Sequence, residues 1–213
     1  MNAARFKQTA LLVLSLMVST ARGEAAGTPV KILMFGTSLT QGLGLPPGTE
    51  LPAVLQAKLA AAHVQAKVIN AGVSGDTSAD GLSRIDWSLA DKPDAAIVEL
   101  GSNDALRGID PAITEKNIGA VLAKLEAARV PVLLLGMKAP RNLGPEYVGR
   151  FDAIFPHLAA RYRDMLYPFA LEGVALDPKL NQADGMHPNP AGVQAIAAHL
   201  FPYVRRLIAE ARP

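Results

Sequence analysis

Ser38 stands two positions past Gly36 in the stretch Phe35-Gly36-Thr37-Ser38-Leu39-Thr40-Gln41-Gly42, directly behind the apolar run Val30-Lys31-Ile32-Leu33-Met34-Phe35. A hydroxyl held at the tip of a tight turn behind a buried strand can act as a nucleophile, provided a base takes its proton. Of the four histidines, His63, His157 and His199 fall in helical stretches and read as ordinary helix residues. His187 differs, because it lies in Asp184-Gly185-Met186-His187-Pro188-Asn189-Pro190, a loop punctuated by glycine and proline. Asp184 can accept one imidazole N–H and leave the other ring nitrogen free to take a proton. Two further loops offer donors to a developing oxyanion: a backbone N–H at Gly75 in Asn70-Ala71-Gly72-Val73-Ser74-Gly75-Asp76-Thr77, and the side-chain amide of Asn103 in Gly101-Ser102-Asn103-Asp104.

Each loop also has a plainer reading. Ser, Thr, Gly and Asn stabilise turns and cap helices without doing chemistry, and the Ser38 loop also suits a phosphate at a helix start. The Gly-Lys-Ser/Thr ending of a nucleotide P-loop is missing. So is a serine with glycine two residues to either side, which argues against the ordinary α/β-hydrolase elbow. Asp184 and His187 are metal-ligand types, but no third ligand stands at a suitable spacing, so no metal site is expected.

Elements of two kinds must position these loops. Short apolar runs at Val30–Phe35, Lys67–Asn70, Asp94–Leu100, Val130–Leu135 and Gly173–Leu176 read as strands, most of them bounded by glycine. Near-continuous apolar runs suit strands covered on both faces, as in a parallel sheet. Helical spacing appears at Leu51–Ala62, at Ala112–Arg129 with Asp110 as N-cap and Pro111 at the first position, at Glu146–Leu166, and at Ala191–Ala211. Pro202 is expected to kink or divide the last of these. Alternating strands and helices predict an α/β fold, a three-layer α/β/α sandwich on about five parallel strands. In such sheets ligands sit beyond the carboxyl ends of the strands, where the loops described above fall.

The 213 residues include 21 Lys or Arg and 19 Asp or Glu, with half the chain hydrophobic. That composition excludes a disordered chain and argues against a nucleic-acid partner, which needs a basic face. Arg5 and Lys7 precede the run Ala10–Val18, and small residues follow to Ala26. This order reads as a secretory signal peptide over residues 1–25, leaving a single domain at 26–213. There is no cysteine, so no disulfide, thiolate nucleophile or lipidated cysteine enters the argument.

Gly36-Thr37-Ser38-Leu39, Gly75 within Ser74-Gly75-Asp76-Thr77, Gly101-Ser102-Asn103-Asp104, and Asp184 with His187 stand in the order and spacing of the SGNH/GDSL hydrolases. From about residue 30 to 205 the chain resembles the bacterial periplasmic esterases of that family, which act as thioesterases, arylesterases and lysophospholipases. The resemblance implies Ser38 as nucleophile, His187 as base and Asp184 as its orienting acid. The Ser38 N–H, the Gly75 N–H and the Asn103 side chain would then form the oxyanion hole. It also implies a flavodoxin-like sandwich, no cofactor, a small acyl ester or lipid as substrate, and a periplasmic or secreted enzyme with no stable membrane anchor after cleavage. One position departs from the family pattern: Thr37 stands where aspartate is usual, which implies a shifted local hydrogen-bond pattern with the reaction class kept.

The stretch Met137–Tyr147 follows the fourth strand and resembles the mobile loop that related esterases close over acyl chains. On that reading Leu143, Pro145 and Tyr147 offer apolar contact and Arg141 meets an anionic head group; the same stretch also reads as a surface loop. Short- to medium-chain acyl and aryl esters are the expected substrates, with thioesters and lysophospholipids beside them. The alternatives are a carbohydrate O-deacetylase of the same fold, a flavodoxin-like phosphate-binding module, and a catalytically silent binding protein.

Overall fold

The computed structural model describes residues 28–211, so the expected signal peptide lies outside the described residues. The chain runs from β1 (Val30–Gly36) into α1 (Ser38–Gln41) and α2 (Leu51–Ala61), then from β2 (Ala66–Gly72) into α3 (Ser78–Leu89). Next, β3 (Ala95–Val98) leads to α4 (Ser102–Leu106) and α5 (Pro111–Ala127), and β4 (Val132–Leu135) to α6 (Pro145–Asp152) and α7 (Ile154–Tyr162). Last, β5 (Met165–Tyr167) passes through a long loop to α8 (Pro190–Ala211).

The five strands form one sheet in the order β2-β1-β3-β4-β5, and every pairing is parallel. Parallel neighbours need crossovers, and right-handed crossovers in opposite directions from β1 put helices on both faces. Accordingly α2 packs with α8, which lies across β3, β4 and β5, while α3, α5 and α7 pack side by side. The fold is thus the flavodoxin-like α/β/α sandwich that the sequence predicts. Ile32–Phe35 of β1, all of β3 and Leu133–Leu135 of β4 are fully buried, consistent with their unbroken apolar runs. Each such leucine or isoleucine contributes ~1.5–3 kcal/mol of burial. Among the described residues no helix is long and apolar enough to cross a membrane.

Several boundaries differ from the sequence reading. The last strand is Met165–Tyr167; Gly173–Leu176 is a turn in which Leu176 takes a left-handed φ of 66° and is 90% exposed. The helical stretch expected over Glu146–Leu166 is divided at Ala153 and ends at Arg163, also left-handed with φ 58°. Pro156 accounts for the division, since its ring cannot accept the helical geometry of the residues before it and fits only the first turn of a new helix. By contrast, α8 continues through Pro202 without dividing. Its buried stripe, including Val193, Ile196, Leu200, Val204 and Leu207, holds it against the sheet across the missing hydrogen bond. Asp110 caps α5 as expected, accepting the Ala112 N–H at 3.0 Å ahead of Pro111.

Two features of the sheet bear on the loops above it. At the end of β2, Gly72 lies so close to α1 that an added Cβ would overlap the backbone nitrogen of Gln41. Just past β3, Glu99 is 1% exposed, between buried Val98 and Leu100 in the chain. Burial raises its carboxyl from 4.5 to about 7, against the opposing pull of hydrogen bonds from Thr37 and Thr40.

Gly72→Ala is therefore expected to cost ~1–3 kcal/mol by overpacking, read as a lower denaturation midpoint; an unchanged midpoint would show that the contact yields freely. Because the folded chain holds the Glu99 proton more tightly than the unfolded one, this carboxyl's contribution to stability declines as pH rises from about 4.5 to about 7. Glu99→Gln removes that decline, so the stability of the variant relative to wild type is expected to improve across this window. Urea titrations at several pH values check it, and a pH-independent difference would contradict it.

Candidate active site

Chain reversal sets the location. β1 lies between β2 and β3, so the connections leaving their carboxyl ends diverge to opposite faces and open a crevice there. Gly36 ends β1, Thr37 turns the chain, and Ser38 opens α1, a single turn closed by Gly42 in the left-handed region. Ser38 is 8% exposed, so its hydroxyl reaches the surface while its backbone is fixed.

The loop before α8 brings His187 to that hydroxyl. Its base is a short antiparallel bridge between Asn181 and Pro188, with the Gln182 N–H donating to the His187 carbonyl at 2.7 Å. The Gln182 amide donates both to the Pro188 carbonyl (3.0 Å) and to the Leu43 carbonyl (2.8 Å), tying this loop to the one behind Ser38. Asn189 donates to the carbonyls of Lys179 and Asn181 and accepts from Ala191 and Gly192, joining the loop to the start of α8.

Within the loop, Asp184 Oδ1 accepts the N–H groups of Met186 (2.9 Å) and His187 (3.0 Å). Its Oδ2 lies 2.6 Å from His187 Nδ1. The His187 backbone N–H above all, then the Met186 N–H and the imidazole, lower this carboxyl to about 2. An ionised Asp184 requires the proton on Nδ1, which leaves Nε2 as an acceptor. That nitrogen is 2.9 Å from Ser38 Oγ, across 149 residues of chain. A serine hydroxyl, an imidazole acceptor and a carboxylate thus lie in one hydrogen-bonded line, an arrangement able to generate an alkoxide-like nucleophile.

The loop behind β2 is fixed almost donor by donor. The Val73 N–H donates to the Gly36 carbonyl, the Ser74 N–H to Gln41 Oε1, the Asp76 N–H to the Val73 carbonyl, and the Thr77 N–H to Asp80. The Gly75 N–H alone in this run has no acceptor among the described residues. Its φ of 86° is the left-handed conformation that glycine adopts without strain. The neighbouring carbonyls are pinned by side chains: Arg107 donates to Gly75 O at 2.8 Å and Asn103 Nδ2 to Asp76 O at 2.8 Å. Asn103 therefore keeps one amide hydrogen free. It sits in the first turn of α4, which buried Asp104 fastens to Ser78 of α3 and Thr114 of α5.

His187 is thus directly bonded to both Ser38 and Asp184, and the Gly75 loop is bonded to the turns carrying Ser38 and Asn103. The stretch expected at an acyl pocket is tied elsewhere. Tyr147 donates its hydroxyl to the Ile109 carbonyl and stacks on Phe151, and Arg141 pairs with Asp152 at 2.7 Å. Leu143 ends a short 3₁₀ turn and Pro145 opens α6. Thr37, in the position where the family pattern usually carries aspartate, donates its N–H and hydroxyl to Glu99. Gln182, Gln41, Arg107, Arg84 and Glu99 were not legible as site residues, since each acts on a loop distant in sequence. Among the described residues no three of His, Cys, Asp or Glu gather as metal ligands.

Comparison with known proteins agrees in extent and in kind. Over 178 residues the chain is 39% identical to esterase TesA of Pseudomonas aeruginosa, covering 83% of this chain and 89% of that one. It is likewise 39% identical to thioesterase 1/protease 1/lysophospholipase L1 of Escherichia coli K12, over 83% of this chain and 82% of that one. Among solved structures, AlinE4, an SGNH-hydrolase family esterase, superposes with a TM-score of 0.72 at 45% identity, over 88% of this chain and 98% of that one. Residues 34–195, which take in the end of β1, all of β2 to β5 and all five loop residues discussed, match the pattern of a single family. The chain belongs to the GDSL-like lipase/acylhydrolase family.

Proposed function

We propose that the protein hydrolyses carboxylic esters, and thioesters and lysophospholipids beside them, by covalent catalysis at Ser38. The observation that carries this reading is the continuous line from Ser38 Oγ through His187 to Asp184, at 2.9 and 2.6 Å. Family membership and relatives named as esterases and as a thioesterase/lysophospholipase support it.

In the reaction His187 Nε2 takes the hydroxyl proton as Ser38 Oγ attacks the acyl carbon, and Asp184 balances the imidazolium that forms. The oxyanion develops against the Ser38 N–H, the Gly75 N–H and the free hydrogen of the Asn103 amide. His187 then returns its proton to the departing alcohol or thiol. Water, activated by the same nitrogen, attacks the acyl-enzyme, and Ser38 is released with the acid product. Apolar side chains near these loops favour an acyl chain: Met186 adjoins His187, Leu43 is tied to Gln182, and Val73 and Leu106 flank the Gly75 and Asn103 loops, all at least 42% exposed. The signal peptide proposed over residues 1–25 would deliver the mature domain to the periplasm or beyond the cell.

Ser38→Ala is expected to abolish both hydrolysis of p-nitrophenyl butyrate and labelling by a fluorophosphonate; activity within a few-fold of wild type would sink the assignment. Asn103→Ala is expected to lower kcat by ~10²–10³ while leaving KM nearly unchanged. A loss confined to KM would remove Asn103 from the oxyanion hole. A chain-length series on p-nitrophenyl esters is expected to favour butyrate to octanoate, and a sharp optimum at acetate would point instead to the carbohydrate O-deacetylase.

A further inference from the structure

The peptide unit between Gly36 and Thr37, which directly precedes Ser38, is held at both of its polar ends by charged side chains. Its carbonyl accepts from an Arg84 amino group at 2.8 Å, together with the Val73 N–H at 3.0 Å. Its N–H donates to Glu99 Oε2 at 2.8 Å. Two charged residues from different elements thus converge on one amide plane, Arg84 from α3 and Glu99 from the end of β3.

Neither residue is placed as simple stability would place it. Glu99 is buried, and among the described residues no Lys or Arg is its hydrogen-bond partner; it accepts from the Thr37 N–H, the Thr37 hydroxyl (2.9 Å), the Thr40 hydroxyl (3.0 Å) and the Thr40 backbone. A buried carboxyl balanced only by neutral donors is costly to ionise, as its raised value of about 7 reflects. Arg84 uses its whole donor fork on this corner of the molecule. Nε donates to Asp76 Oδ2 (2.6 Å), one amino group to the Ala71 carbonyl (2.9 Å) and the other to Gly36, with the guanidinium plane 4.0 Å over the Phe35 ring. The tails of β1 and β2 and the loop carrying Gly75 therefore share a single rigid cation. Charge-assisted hydrogen bonds are shorter and stiffer than neutral ones, so they restrict rotation of the plane they grip.

Resting on the reading of Ser38 as nucleophile, we propose that Arg84 and Glu99 are positioning residues that clamp the Gly36–Thr37 peptide. In doing so they aim the Ser38 hydroxyl at His187 and the Ser38 N–H at the oxyanion. Neither touches substrate. Arg84 further couples this aim to the Gly75 loop through Asp76, whose carbonyl holds the Asn103 amide. A clamp on the amide before the nucleophile acts on the transition state, where small misplacements are expensive, and little on the bound substrate.

The test measures kcat and KM for p-nitrophenyl butyrate in Glu99→Gln, Arg84→Gln, Arg84→Lys and the Glu99→Gln/Arg84→Gln pair, at about pH 8 where Glu99 is ionised. Melting temperatures and fluorophosphonate labelling rates accompany the kinetics. Each single variant is expected to lose roughly 10- to 100-fold in kcat with KM within about twofold of wild type. Glu99→Gln should do so with no loss of melting temperature, which a merely structural role does not allow. Arg84→Lys keeps the charge but cannot span three acceptors, and should be as slow as Arg84→Gln. Because both residues hold one amide, the double variant should be faster than the product of the two losses. Folded variants with kcat near that of wild type, losses confined to KM, or losses that multiply would overturn the clamp. If Arg84→Gln does not fold, Glu99→Gln decides alone. Wild type that resists the fluorophosphonate would sink the reading of Ser38 itself, whereas labelled wild type with fast variants sinks only the clamp.

Discussion

A hydrogen bond of 2.9 Å joins two side chains that the chain separates by 149 residues, and nothing local to either can make it form. Ser38 is placed by the end of a central strand, and His187 by a loop between the last strand and the last helix. Both ends meet because a parallel sheet aligns all its carboxyl termini along one edge, and because α8 packs back across β3, β4 and β5. Every other feature of the site serves that meeting. The Gln182 amide ties the two loops directly, and Asp184 turns the imidazole so that its acceptor faces the hydroxyl.

The polar groups around this bond show how a low-dielectric setting is tolerated at a working edge. Backbone N–H and C=O groups above β1 and β2 have partners nearly throughout, so the Gly75 N–H stands out as a donor with no acceptor among the described residues. An unpaired donor costs stability unless something else accepts from it, and an oxygen that gains charge during a reaction is a fitting acceptor. Asn103 follows the same logic with one amide hydrogen bonded to Asp76 and the other free. Buried Asp104 and Glu99 carry the less visible burden, fixing the backbones of α4 and of the turn into α1.

Much of this was legible in the sequence. The runs at Val30–Phe35 and Asp94–Leu100 announce β1 and β3 because central parallel strands are apolar on both faces. The glycines that follow mark where the chain must turn, and the turns hold Ser38 and Asn103. β5 stayed hidden: three residues at Met165–Tyr167 are too few to show as an apolar run, and the helix before them stops at a left-handed arginine where a glycine would have signalled the break. Arg84 stayed hidden for another reason. In sequence it is one charge on an amphipathic helix, and its bonds to Gly36, Ala71 and Asp76 exist only after β1 and β2 pair.

Neutral amides do most of the holding around His187. Gln182, Asn181 and Asn189 fasten the loop to Leu43, Val174, Asp177, Lys179 and Pro188, and none of these contacts relies on a pair of opposite charges. Dissolved ions screen exposed charges within about a nanometre at 0.1 M but leave such dipolar contacts almost untouched. The loop that carries the imidazole is consequently fastened by bonds indifferent to salinity, and Asp184 is the one charge set against the ring itself among the described residues.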